Sequence, residues 1–162
     1  VCWNHCHMPL TKTHVHSFTI MNLVGDAFHN LLDGLVIAAS YLVSIPLGIT
    51  TTLAVVLHEI PQEISDFGIL IYGGFSRKKA LLINFATALT AVLGAVVGLL
   101  LSGFISGVEF FLIPIAAGGF IYIAGSDLIP ELHREFQIKK SIWQLIVFIL
   151  GILVMVGLLF LE

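Results

Sequence analysis

Five long apolar stretches, separated by short groups of turn-forming residues, run along the chain. They cover residues 17–42, 46–72, 79–103, 109–131 and 141–161. Each is close to the roughly 20 residues that a helix needs to cross a bilayer. Continuous apolar runs such as residues 158–161 exclude a membrane barrel, whose strands alternate apolar and polar positions. The pattern predicts an all-α membrane protein with five transmembrane helices.

The composition supports a membrane protein. Of 162 residues, 58% are hydrophobic and 10% are charged, and the mean hydropathy is +1.05, whereas a soluble domain has about 25% charged residues. A net charge of −3 and seven scattered basic residues give no surface for nucleic acid. Both cysteines lie within the first six residues, which excludes a disulfide scaffold. Because the first residue is Val, we expect the sequence to begin inside a longer protein.

The basic residues indicate the orientation. With five crossings, every Lys and Arg falls on the side of the membrane that carries residue 1, which we call side A; the opposite side is side B. The seven are Lys12, Arg77, Lys78, Lys79, Arg134, Lys139 and Lys140. Loops rich in Lys and Arg stay in the cytoplasm. We therefore expect the N-terminal end to be cytoplasmic and the C-terminus to be extracytoplasmic.

Polar residues recur at helical spacing in the first two stretches. They are Asn22, Asp26, His29, Asn30 and Asp33 in the first, and His58, Glu59, Gln62, Glu63 and Asp66 in the second. At 3.6 residues per turn each set falls on one face of its helix. Such faces turn towards protein or water rather than lipid. We expect the two polar stripes to face each other.

The chemistry of the two stripes indicates a divalent metal. They contain five carboxylates, and no Lys or Arg occurs between residues 17 and 72. Like charges buried together must take up protons or bind a cation. A mixed set of imidazole, carboxylate and amide groups suits a transition metal better than calcium or magnesium. His29 and Asp33, like Glu59 and Glu63, are four residues apart and can converge on one ion.

Single polar residues have a simpler explanation. Asn22, Asp26 or Asn84, each taken alone, would serve equally well to join helices by hydrogen bonds. The third stretch carries small residues at helical spacing, among them Gly94 and Gly98. Small residues let helices approach closely. We expect this stretch to be scaffold, with Asn84 able to project towards the polar stripes.

The first sixteen residues form a separate segment. It contains Cys2, His5, Cys6, His7, His14 and His16. Cys/His tracts bind soft divalent metals. The spacing here matches no closed zinc-finger pattern, and a chance accumulation of Cys and His in this segment is the alternative explanation. We expect residues 1–16 to be a cytoplasmic metal-catching loop and residues 17–162 to be the transmembrane domain.

Two motifs carry a family resemblance. The segment from His29 to Gly34, HNLLDG, followed by the segment from His58 to Glu63, HEIPQE, resembles the paired metal motifs of the ZIP family of zinc/iron-regulated transporters. The resemblance extends from about Met21 to the C-terminus. Members of this family have eight spans, with a His-rich cytoplasmic loop before the fourth. The resemblance implies that the five helices are spans 4–8, that residues 1–16 end that loop, and that three helices precede this sequence.

The resemblance also implies the function, which is uptake of divalent metal ions into the cytoplasm by a transporter rather than an enzyme. Zn²⁺ would be the transported substrate, with Fe²⁺, Mn²⁺ or Cd²⁺ as alternatives. The implied ligands are His29, Asn30, Asp33, His58, Glu59, Gln62 and Glu63. Gln62 stands where this branch often has His and other branches have an acidic residue, which leaves open whether one or two metals bind. We expect the protein to lie in a plasma or inner membrane, and a homodimer is one oligomeric state consistent with the sequence.

An intramembrane zinc metalloprotease is the competing interpretation. Such enzymes carry HExxH on one helix and an LDG-type Asp on another, and Leu32-Asp33-Gly34 is present. Here Gln62 replaces the second His and the order of the motifs is reversed. We also expect Pro61 to disrupt the helix that such a site requires. A carrier that moves only protons leaves the paired His and acid spacing unexplained.

Overall fold

A computed structural model of the chain describes residues 17–129, 137–158 and 160. Within these residues it contains five α-helices and no strand. The helices are α1 Ser17–Val43, α2 Ile45–Tyr72, α3 Arg77–Ser102, α4 Glu109–Ile123 and α5 Ile138–Leu158. A π-helical turn, Ala124–Leu128, continues α4. The all-α prediction is confirmed, whereas the expected metal-catching loop at residues 1–16 lies outside the described residues.

The turns between helices have local causes. Ser44 alone connects α1 to α2, and its side chain accepts a hydrogen bond of 3.2 Å from the Leu47 backbone N–H, capping α2. Gly74 has φ of 101° and ends the turn after α2, a conformation that favours glycine. The expected disruption at Pro61 is wrong as to the extent of the helix, because α2 continues through Pro61 to Tyr72.

Helix α1 is the centre of the bundle and packs against α2, α3 and α4. Its contact with α3 is backbone to backbone. A Cβ atom at Gly34 would overlap the Ala91 carbonyl oxygen, and one at Gly94 would overlap the Leu31 carbonyl oxygen. The small-residue face predicted on α3 therefore packs directly on α1.

Helices α1 and α2 are antiparallel neighbours held at both ends. Near side A, the Phe18 and Tyr72 rings lie 6.1 Å apart, measured between their centroids. Towards side B, the Thr51 hydroxyl donates a hydrogen bond of 3.0 Å to the Ser40 hydroxyl. These contacts fix the two helices side by side, so that their polar stripes run next to each other.

Three helical segments among the described residues are long and apolar enough to cross a membrane. They are Arg77–Ser102, Glu109–Ser126 and Ile138–Leu158. Helices α1 and α2 are longer than these, with 27 and 28 residues, but their polar stripes reduce their mean hydropathy. Helix α5 has no buried residue. Its apolar surface requires lipid or another protein chain around it.

Candidate metal site

Four of the predicted ligands meet between α1 and α2. His29 and Asp33 come from α1, and His58 and Glu59 come from α2. One ligand atom of each lies within 4.8 Å of the others. We call these residues the four-residue group. The Asp33 side chain is fully buried, and those of His29 and Glu59 are 13% and 15% exposed, whereas that of His58 is 36% exposed. Three of the four side chains are therefore largely shielded from solvent, and His58 lies at the open side of the group.

The spacing within the four-residue group fits a bound metal ion. Asp33 Oδ2 lies 3.4 Å from His58 Nε2 and 3.6 Å from His29 Nε2, and His29 Nε2 lies 3.7 Å from Glu59 Oε1. Zinc binds nitrogen and oxygen at about 2.0–2.1 Å, which separates two tetrahedral ligands by about 3.3 Å. Small side-chain movements would therefore bring these atoms onto one ion.

The group also lacks the hydrogen bonds that buried polar atoms need. Seven of its nitrogen and oxygen atoms are buried with no hydrogen-bond partner in the described part of the chain. Native proteins rarely leave buried polar groups in this condition. With neutral imidazoles the two carboxylates give a charge of −2, which a divalent cation cancels. A bound divalent metal ion would give these nitrogen and oxygen atoms a partner and would neutralise the charge of the two carboxylates.

The histidine rings are oriented by neighbouring residues. His58 Nδ1 lies 2.9 Å from the Ala54 carbonyl oxygen, and only a protonated Nδ1 can donate to it. The neutral ring then presents the lone pair of Nε2 to the group, as metal-binding histidines commonly do. The His29 ring lies edge-on to His58 and to Phe120 of α4, with centroid distances of 5.5 and 5.4 Å. Phe120 was not predicted as part of the site.

The other three predicted ligands pair elsewhere. The amides of Asn30 and Gln62 donate to Asp26 Oδ1 at 2.9 and 3.4 Å. Glu63 accepts a hydrogen bond from the amide of Asn84 on α3. The structure therefore places Asn30, Gln62 and Glu63 beside the four-residue group rather than within it.

Long apolar helices that surround buried imidazole and carboxylate groups are typical of helical membrane proteins that bind metal ions. Within that class, the sequence model of the ZIP zinc transporter family matches residues 6–159. The chain therefore belongs to the ZIP zinc transporter family, and it is an integral membrane protein of all-helical fold.

Curated relatives are similar over most of the chain. It is 39% identical to the human zinc transporter SLC39A7 over 149 residues, which are 88% of this chain and 32% of that protein. The identity is 40% over 139 residues of zipt-7.2 from Caenorhabditis elegans, or 83% of this chain and 30% of that protein. Mouse ZIP13 is 41% identical over 146 residues, 88% of this chain and 40% of that protein.

The chain thus spans between 30% and 40% of the length of these relatives. No solved structure matches it. Each of the three relatives is named a zinc transporter. The protease interpretation gains no support from these comparisons.

Proposed function

We propose that this chain is the ion-carrying part of a divalent metal transporter and that the four-residue group holds the ion during its passage. Zn²⁺ is the foremost substrate. The observation that carries this proposal is the set of seven buried, unpartnered nitrogen and oxygen atoms on His29, Asp33, His58 and Glu59. The names of the relatives support the same substrate.

Each member of the group has a distinct task in this proposal. The two histidines bind the ion through Nε2, and Asp33, which lies close to both Nε2 atoms, provides the central carboxylate ligand. Glu59 completes the set and cancels the second charge of the ion. Two imidazoles favour Zn²⁺ over Mg²⁺ and Ca²⁺, while Fe²⁺, Mn²⁺ and Cd²⁺ accept the same ligand types.

The proposed direction of transport is from side B to side A. Five helices cross the membrane as spans 4–8 of the complete protein, and the basic residues at the starts of α3 and α5 make side A cytoplasmic. An inside-negative membrane then assists import, because a divalent ion gains about 4.6 kcal/mol per 100 mV. The proposed location is the plasma or inner membrane.

Zinc uptake into vesicles that contain the full-length protein tests the proposal. We expect His29→Ala to reduce the initial rate at least tenfold, because it removes one of four ligands. Glu109→Gln removes a carboxylate from the first turn of α4, outside the group, and is the matched control. Undiminished uptake by the His29→Ala variant, with normal uptake by the control, would contradict the assignment. Cleavage of a membrane peptide by the wild-type protein would favour the protease instead.

A further inference from the structure

Two side-chain hydrogen bonds cross from α1 to α2, one on each side of the four-residue group. Towards side A, the Asn22 amide donates to Asp66 Oδ1 at 2.9 Å, and we call this contact the side A bond. Towards side B, the Thr51 hydroxyl donates to the Ser40 hydroxyl at 3.0 Å, and we call this contact the side B bond. The four-residue group therefore lies between two polar contacts that join the same pair of helices.

The positions of the two bonds follow the register of the ligands. His29 contacts Glu59, and the side A bond lies seven residues before His29 on α1 and seven residues after Glu59 on α2. Asp33 contacts His58, and the side B bond lies seven residues after Asp33 and seven residues before His58. Seven residues are about two helical turns, or about 10 Å, so each bond lies on the same helix faces as the ligands. An ion that moves between α1 and α2 must pass one of the two bonds.

The side B bond is held in place by the structure around it. Ser44 alone joins α1 to α2, four residues after Ser40. A Cβ atom at Gly48 would overlap the Tyr41 ring, so the two helices are in close contact at this end. Ser40 itself is only 3% exposed. The helix ends at side B therefore have little freedom to separate.

The side A bond has no such connection near it. Towards side A the chain leaves α2 after Tyr72 and continues into α3 instead of returning to α1. A second hydrogen bond, from the Gln62 amide to Asp26 Oδ1, crosses the same interface but is longer, at 3.4 Å. Hydrogen bonds between membrane helices are individually weak. The side A bond can therefore break and re-form while the side B bond stays in place.

We propose that the hydrogen bond between Asn22 and Asp66 is a gate, which must open before a divalent ion held by the four-residue group can leave towards side A. This inference rests on the proposed function. The two residues act by closing the route and not as ligands of the ion. The side B bond is a permanent closure, so the two bonds have different roles although their positions are matched.

Zinc exchange by the purified full-length protein tests the gate. Stopped-flow transfer of bound Zn²⁺ to a fluorescent chelator gives the dissociation rate, and mixing metal-free protein with Zn²⁺ gives the association rate. Asn22→Leu removes the donor at nearly constant volume and should raise both rates about fivefold, the effect of losing one hydrogen bond, with the Kd unchanged. Thr51→Val removes the donor of the side B bond in the same way and should leave both rates at the wild-type values.

Cross-linking tests the same gate during transport. The paired substitutions Asn22→Cys with Asp66→Cys, and Ser40→Cys with Thr51→Cys, are made in full-length protein whose other cysteines are replaced by Ser. A short, reducible bifunctional thiol reagent then joins each pair. Linking the side A pair should abolish Zn²⁺ uptake into vesicles, and a reductant should restore it. Linking the side B pair should leave uptake unchanged, because Ser44 already holds those helix ends together.

The outcomes separate the gate from other roles of these residues. Continued uptake by the linked side A pair would overturn the gate, and so would unchanged exchange rates in Asn22→Leu, which decide the question if the cysteine pair does not fold. A higher Kd in Asn22→Leu would assign Asn22 to binding or to the fold and would also overturn it. Loss of uptake on linking the side B pair would contradict the different roles of the two bonds. Failure of the proposed function appears elsewhere, as undiminished Zn²⁺ uptake when His29 is replaced by Ala.

Discussion

Replacing Asp33 by Asn isolates the contribution of one charge to metal binding. The side chain is fully buried, and its Oδ2 lies 3.4 and 3.6 Å from the two histidine Nε2 atoms. At an effective dielectric constant of 20, a unit negative charge and a divalent ion about 2 Å apart attract each other by about 16 kcal/mol. Most of this attraction is offset, because the amide is less costly to bury than the carboxylate and still offers a carbonyl oxygen to the ion. We expect a net loss of about 2.8 kcal/mol, equivalent to a hundredfold increase in the Kd for Zn²⁺.

Competition between the purified full-length protein and a coloured zinc chelator measures this Kd. Glu109→Gln removes a carboxylate from the far end of α4 and should leave the tight Zn²⁺ affinity unchanged. If Asp33→Asn binds Zn²⁺ as tightly as the control, the buried carboxylate is not a ligand. The interpretation of the four-residue group would then be wrong.

Three further results are expected. Replacing Phe120 by Ala removes the ring beside His29 and should weaken Zn²⁺ binding about tenfold in the same assay. Its control is Phe110→Ala, at a 77% exposed side chain, which should leave Zn²⁺ binding unchanged. Gly34→Ala forces a Cβ into the α3 backbone and should lower the free energy of unfolding by about 1–3 kcal/mol, with a lower Tm in thermal unfolding. Its control is Gly25→Ala on the same helix, where nothing lies within 4 Å of the added Cβ, and its Tm should not fall. Zn²⁺ at 100 times its Kd should stabilise the wild-type protein by about 2.7 kcal/mol, and a Tm shift of equal size in His29→Ala would contradict the site.

The sequence predicted the helices well because their ends are chemically marked. Apolar runs stop at Ser44 and at Gly73, where a cap and a glycine turn are found. The fourth helix was harder to delimit: its π-helical turn over Ala124–Leu128 has no hydrophobic or polar pattern that distinguishes it from α-helix. By hydropathy, only three of the five described helices qualify as membrane spans, because the polar stripes lower the mean hydropathy of α1 and α2.

The site was predicted only in part, for a geometric reason. Helical spacing identifies which residues share a face, but the offset between α1 and α2 depends on packing at their ends. In the observed register Asn30 and Gln62 both turn to Asp26 instead of the four-residue group. Phe120 comes from a third helix and carries no polar group, so no motif could have indicated it.

The single-residue connection at Ser44 has a mechanical consequence for the ligands. It holds the side B ends of α1 and α2 together, so the two helices can separate only by pivoting about that end. The separation is then largest at the opposite ends, near Phe18 and Tyr72, and smallest at Ser44. Moving the α1 ligands away from the α2 ligands therefore opens a gap that widens towards side A.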